Sequence, residues 1–292
     1  MIDVAPTMFG APRWNQDTAY DVVFVGVPTD TGGLGHRSPA AAPGFLRSTS
    51  TLFPLMNGRT GGALGWFDYT TRTTLLQGVR MADAGDFPCS RAEGIGQLSA
   101  LPYVYETLRE STKLLVILGG DHSISYFLGK ALDQEGIVWV DAHEDAAGKN
   151  GAFPDCANVV SHLDDEDAVQ AIAQFGLRGI VPADRREPPA KRRLCASAED
   201  VVSALRAHSV SSTAVTVDVD VFDPSLLPAV GSALPEGLRS TDVLRVVAAV
   251  RNAGIRIPVL EVAEFAPVSE LDVTSGLFLV NFLLRAIALS LD

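Results

Sequence analysis

Cysteine is scarce. Cys89, Cys156 and Cys195 are the only three in 292 residues. They are too few and too scattered for a disulfide framework or a thiolate zinc cluster, and a reducing, cytoplasmic compartment fits them. Histidine is limited to five and aromatic residues to 7%, so each histidine set beside acids carries information. Basic residues are outnumbered 23 to 35, for a net charge of −12. Such a surface repels phosphate backbones and anionic lipid heads, so neither nucleic acid nor a membrane is an expected partner. No apolar run reaches the roughly 18 residues of a membrane span. The nearest, 277–291, is broken by Asn281 and Arg285 and is expected as a buried terminal helix. Residues 1–15 hold Asp3, two prolines and Arg13 and do not read as a secretory signal. What the chain has in quantity is apolar side chain, 47%. That suffices for a sizeable core in one unit spanning 1–292.

Short apolar runs alternate with segments of helical period. Strands are expected at 21–28 (DVVFVGVP), 114–120 (LLVILGG), 137–141 (IVWVD), 175–180, 214–222 (AVTVDVDVF) and 257–265. Helices are expected at 92–111, split or kinked by Pro102, and at 124–134, 198–208 capped by Ser197, 241–253 capped by Ser240, and 274–291. Near-continuous apolar strands indicate burial on both faces, and their alternation with helices predicts an α/β fold with a mostly parallel central sheet. The run 182–193 (PADRREPPAKRR) reads as a solvated surface loop.

In parallel α/β sheets, chemistry collects beyond the carboxyl ends of strands. Three strand ends here carry similar residues: Gly119-Gly120-Asp121-His122-Ser123, Asp141-Ala142-His143-Glu144-Asp145, and Asp218-Val219-Asp220 followed by Asp223-Pro224. Residues i and i+2 of a strand share a face, so Asp218 and Asp220 are expected to point together, as are Asp141 and His143. Paired carboxylates in an apolar strand repel and are costly to desolvate, and a bound cation is the simplest remedy. Each segment alone has a bland reading as a turn, a surface acid or a core histidine. All three together, in a chain with five histidines, favour a metal site. The nitrogen and oxygen donors suit Mn²⁺ and similar ions, and their number suits two ions sharing carboxylates.

The blocks 119–123 (GGDHS), 141–145 (DAHED) and 216–224 (TVDVDVFDP), in that order, resemble the signature blocks of the arginase–agmatinase, or ureohydrolase, superfamily. The run from Pro228 (PAVGSALPEGL) is similar to a degraded Pro-Gly-Thr-Gly-Thr-Pro-x-x-Gly-Gly stretch, and 25–28, 84–86 and 260–267 resemble further strand ends of that superfamily. The resemblance implies an arginase-like three-layer α/β/α fold and two Mn²⁺ ions. His122, Asp141, Asp145 and Asp218 would hold one ion, and Asp141, His143, Asp218 and Asp220 the other, with Asp141 and Asp218 bridging. It implies attack of a metal-bridging hydroxide on a linear guanidine carbon, releasing urea and an amine. Asp145 would pass a proton to the amine, and Glu264 would pair with the substrate guanidinium. A homo-oligomer, trimer or hexamer, is implied as well.

The sequence departs from that pattern after the second block. Related agmatinases carry a catalytic histidine there, whereas 153–158 reads Phe-Pro-Asp-Cys-Ala-Asn. Cys156 stands in its place, or Asn158 with a small shift. Cys156 could take over proton transfer, the chemistry could proceed without it, or the substrate could have changed; the last is preferred. The loop 146–155 is expected to set specificity, with Lys149 or Asn150 reaching a substrate carboxylate. Arg37 and His36 are expected to rim the pocket. An agmatine-like or guanidino-acid substrate is the leading expectation. Formimino or N-hydroxyguanidino compounds, a zinc deacetylase and a metal-retaining scaffold are the alternatives.

Overall fold

The computed structural model describes residues 5–33, 37–52, 65–90, 93–181 and 187–292. Eight strands form one sheet: β1 (Tyr20–Gly26), β4 (Met81–Asp86), β5 (Thr112–Leu118), β6 (Glu135–Val140), β7 (Val169–Phe175), β8 (Arg192–Cys195), β9 (Ser212–Asp218) and β10 (Arg256–Ala263). Their order is β4-β1-β5-β10-β9-β6-β7-β8, and every pairing is parallel. A separate antiparallel hairpin joins β2 (Trp66–Asp68) to β3 (Thr73–Leu75).

Successive strand residues feed two cores. Val22, Phe24, Val116, Leu118, Val215 and Val217 face one side. Packed there are α1 (Ala42–Ser50), α5 (Ala198–Ala207), α6 (Ser240–Asn252) and α7 (Val273–Leu291). Val23, Val25, Leu115, Ile117, Ile137 and Trp139 face the other. That side is covered by α2 (Leu101–Glu110), α3 (Ile124–Lys130) and α4 (Val159–Leu163). The result is the expected three-layer α/β/α architecture with a parallel centre. By length and composition α7 could cross a membrane, but just over half of its apolar window (56%) is buried, against α1, α6 and β10.

Several local expectations are corrected. The strand placed at 175–180 ends where it was to begin. Gly176, at φ +102°, and Gly179, at φ +87°, break the chain there, and the true strand precedes them. Pro102 divides 92–111 as anticipated: a 3-10 turn at Ile95–Ala100 hands over to α2 with the proline in its first turn. Ser197 caps α5, its hydroxyl accepting from Asp200 N at 3.1 Å. Ser240 does not cap α6. Arg239 occupies that position, and the Asp242 carboxylate accepts its N–H at 2.9 Å. The basic run 182–193 is partly a strand: Arg192 opens β8, and its buried guanidinium meets Glu144 at 2.8 Å and Asp164 at 3.2 Å. Residues 182–186 of that run lie outside the described residues.

Candidate metal centre

The four central strands β5, β10, β9 and β6 end side by side. Three of their exits close in the same way, each on an aspartate that accepts the amide two residues on. Asp121 Oδ1 takes Ser123 N at 3.1 Å, Asp141 Oδ1 takes His143 N at 2.6 Å, and Asp218 Oδ1 takes Asp220 N at 2.8 Å. This corrects the expectation of strand alternation. β6 stops at Val140 and β9 at Asp218, so His143 and Asp220 lie beyond their strands. The side-chain turns, not the pleat, bring His143 beside Asp141 and Asp220 beside Asp218.

The donors converge. His122 Nδ1 lies 3.2 Å from Asp141 Oδ2 and 3.4 Å from both Asp145 Oδ2 and Asp218 Oδ2. His143 Nδ1 lies 3.0 Å from Asp220 Oδ2 and 3.6 Å from Asp141 Oδ1. Two groups result, His122–Asp141–Asp145–Asp218 and Asp141–His143–Asp220, each with its ligand atoms within 4.8 Å of one another. Asp141 gives one oxygen to each. Asp218, expected to bridge, falls in the first group alone.

Without a cation this cluster is electrostatically strained. Burial, then the nearby Asp141 charge, pushes the Asp145 carboxyl well up; burial, then Asp220 and Asp141, does the same to Asp218. Burial disfavours charge on His122, but the Asp141, Asp145 and Asp218 carboxylates close to its Nδ1 override it and drive the imidazole well up. Asp141 and Asp220 push His143 up to about 11. Burial would raise Asp141, yet the two imidazoles hold it below the usual carboxylate range. His122 Nδ1 and Asp220 Oδ1 are buried without a hydrogen-bond partner. Orphaned buried donor atoms of this kind, aimed into a pool of carboxylate oxygens, fit divalent cations. Asp145 also holds a left-handed backbone, φ +49°. That conformation costs a non-glycine residue about 1 kcal/mol or more, and such strain gathers at functional sites.

Glu264 follows β10 directly, with its amide on Gly120 O at 2.9 Å and its own φ at +65°. Its Oε1 accepts the His122 N–H at 2.8 Å. Burial, then the Asp121 charge, pushes its carboxyl up to about 8. In the 146–158 loop, Asn158 is buried, accepts from Asp155 N at 3.0 Å and donates to Asn150 at 3.1 Å. Asn150 in turn donates to Asp155 at 3.0 Å. Lys149 is paired with Asp165 and lines a cleft of about 740 Å³ with Glu144, Asp164 and Arg192. Half-buried Cys156 is tied by its backbone, its N–H donating to Gly32 O at 3.0 Å. Gly32 N in turn donates to Asp121 Oδ2 at 3.1 Å. Arg37 stands 3.9 Å from Asp272, and His36 lies outside the described residues.

Three residues of the centre escaped the sequence reading. Trp139 stacks on His122, with ring centroids 3.9 Å apart, and donates to Asp141 Oδ2 at 3.0 Å. Thr216 Oγ1 lies 2.9 Å from His122 Nε2, and Glu261 lies beyond it. Trp139 and Thr216 each sit two residues before a ligand aspartate, on the face that the strand's period of two assigns to it. That spacing was the available signal.

A parallel α/β sheet with a doubled aspartate–histidine cluster at the ends of its central strands is the architecture of the arginase-type metallohydrolases. The Arginase family profile matches residues 20–288. Proclavaminate amidinohydrolase of Streptomyces clavuligerus is 30% identical over 288 residues, covering 90% of this chain and 85% of that protein. Guanidinopropionase of Pseudomonas aeruginosa is 25% identical, covering 90% and 84%. The crystal structure of agmatine ureohydrolase of Thermoplasma volcanium shares the fold, with a TM-score of 0.77 at 23% identity over 99% of this chain and 95% of that one. The chain belongs to the Arginase family, and by class it is a metal-dependent amidinohydrolase.

Proposed function

We propose that this enzyme uses two manganese ions to cleave a linear C–N bond of a guanidino compound, releasing urea and an amine. The observation that carries the proposal is the pair of donor groups sharing Asp141, with Glu264 bonded to the backbone of the ligand His122. His122, Asp141, Asp145 and Asp218 would hold one ion, and Asp141, His143 and Asp220 the other. The ions, when bound, supply Lewis-acid activation of water and stabilise developing negative charge. The chain's own groups do the rest. Glu264 keeps one oxygen on the His122 amide and offers its carboxylate to the planar substrate cation. An incoming guanidinium favours its ionised form and so offsets the cost of its burial. Asp145, whose Oδ2 lies 3.4 Å from His122 Nδ1 at the edge of the cluster, would take a proton from the attacking water and pass it to the departing amine.

The substrate tail is assigned to the agmatine-like or guanidino-acid class, read by Lys149, Asn150 and Asn158 on the 146–158 loop, with Cys156 as the candidate for proton transfer. The relatives named guanidinopropionase and proclavaminate amidinohydrolase support a guanidino acid. Formimino and N-hydroxyguanidino compounds form the second reading, favoured by the lack of a histidine in 153–158. A homo-oligomer completes the proposal by family resemblance, and three cysteines that form no disulfide support a cytoplasmic location.

Purified protein loaded with manganese and offered a panel of guanidines and formimino compounds should release urea or ammonia with at least one. Turnover of none, with two ions bound, would refute the enzymatic reading. Activity gained only in the Cys156→His variant would mark the natural chain as a metal-holding scaffold.

A further inference from the structure

Glu261 is a carboxylate in an unusual place. It lies within β10, the strand at the centre of the sheet, and is wholly inaccessible to solvent. Its lateral neighbours are Ile117 on β5 and Thr216 on β9. Its Oε1 accepts from the Ser125 hydroxyl and from Thr216 Oγ1, the latter at 2.8 Å, while its Oε2 has no hydrogen-bond partner. A half-satisfied acid in a sheet interior is expensive. Its same-face strand neighbours Val259 and Ala263 show what the position would hold if packing alone decided it.

The bonding sequence explains its presence. A threonine hydroxyl has one proton to give. With Thr216 donating to Glu261, its oxygen can only accept from His122 Nε2, 2.9 Å away. The Nε2 position must then carry a proton. In the neutral ring Nδ1 is bare, and Nδ1 is the atom that faces Asp141, Asp145 and Asp218. Stacking on Trp139 fixes the ring plane. The chain Glu261–Thr216–His122 therefore presets one histidine as a ligand through a single nitrogen, in the manner of carboxylate–histidine–metal arrays. His143 has no part in it; its Nδ1 meets Asp220 and Asp141 only through their carboxylates.

We infer that Glu261 is a positioning residue for metal uptake: acting through Thr216, it selects the His122 tautomer that ligates through Nδ1 and so favours binding in the His122–Asp141–Asp145–Asp218 group over the group containing His143. The inference rests on the metal reading of the cluster. It goes beyond that reading by assigning a different source of affinity to each of the two sites. It also accounts for the unpaired oxygen, because a dication at His122 supplies the positive charge that a buried carboxylate lacks.

Mn²⁺ binding to the full chain tests this without recourse to turnover. Chelator competition and metal analysis should be run on the wild type, Glu261→Gln, Thr216→Val and Thr216→Ser. Thr216→Val, which breaks the relay, should weaken one of the two ions about 10- to 100-fold, the range for loss of such an outer partner. Glu261→Gln, which keeps an acceptor oxygen for Thr216 but loses the charge, should weaken the same ion by less, both leaving the other ion near its wild-type affinity. Thr216→Ser keeps the hydroxyl and should restore tight binding of both. The chelated Glu261→Gln protein should unfold no earlier than the chelated wild type, since it sheds a buried charge; a purely structural glutamate would behave oppositely. Unchanged affinity in both relay variants, or equal weakening of both ions, overturns the inference while leaving the metal centre intact. A wild type that takes up no divalent ion overturns the metal reading itself, and the inference with it.

Discussion

Withdrawing divalent ions should change how the protein's stability responds to pH between about 6.5 and 8. In the ion-free fold, His122 sits among three carboxylates and is held well above its ordinary value, whereas in the unfolded chain it loses its proton near pH 6.5. A group raised on folding contributes stability that is complete below its unfolded value and drains away as pH climbs toward its folded value. One extra proton on the folded side is a slope of about 1.4 kcal/mol per pH unit. As pH rises from about 6.5 the chelated protein should therefore lose stability through His122. His143, pushed up to about 11, works in the same direction. Its side chain is 34% exposed, so solvent screening leaves it a smaller share. Asp145 and Asp218, both raised, also favour the fold at lower pH. Asp141, depressed, acts with the opposite sign, but its contribution is already complete above the unfolded value near 4 and constant across this window. With Mn²⁺ present the ligands must shed their protons, so metal stabilisation grows with pH, reaching about 2.7 kcal/mol at a free ion concentration of 100 Kd. Urea unfolding followed by tryptophan fluorescence at four pH values, with chelator and with Mn²⁺, would show the two stability curves diverging. Parallel curves, or chelated protein whose stability is flat or rising over the window, would refute the electrostatic account of the cluster.

Asp141→Asn should reduce the uptake of both ions, whereas Asp220→Asn should spare the His122 ion, and metal analysis after gel filtration distinguishes them. Gly120→Ala would set a methyl 1.9 Å from Thr29 O and 2.7 Å from Thr29 N, both backbone atoms that cannot yield cheaply. A loss of about 3 kcal/mol is expected, read as a lower urea midpoint at unchanged slope. Asp68 accepts two 2.9 Å bonds from Arg285 and one at 2.8 Å from Thr70 N, tying the hairpin to α7. Burial would raise its carboxyl, but these partners hold it below the usual range. Asp68→Asn should cost about 1–3 kcal/mol at pH 7, and the gap should close as pH falls through the wild-type value and the acid protonates.

The fold class was legible because strands buried on both faces read as unbroken apolar runs, as in LLVILGG and IVWVD. The six donors were legible because polar residues that end such runs need a reason to be there. What the sequence could not disclose is non-local. β10 comes last in the chain yet lies between β5 and β9, and only that insertion sets Glu261 beside Thr216. The strand β7 was misplaced because Gln170 and Gln174 interrupt its apolar run; Gln174 is buried through bonds to Glu144 O and Arg192, partners remote in the chain. Arg192 itself read as loop for the same reason. The hairpin β2–β3, anchored by Asp68 to Arg285, left no local trace.

The late arrival of β10 has a consequence for biosynthesis. Until residues 256–263 emerge, β4-β1-β5 and β9-β6-β7-β8 are two separate ribbons with bare inner edges, one carrying His122 and the other the aspartates. The His122–Asp141–Asp145–Asp218 group closes only when the final strand zips the ribbons together, whereas Asp141, His143 and Asp220 already share one ribbon, so a half-made chain holds at most one of the two cages. The same order of events leaves two long apolar edges waiting on the ribosome's last product, and slow folding with a need for chaperone shelter is the expected cost.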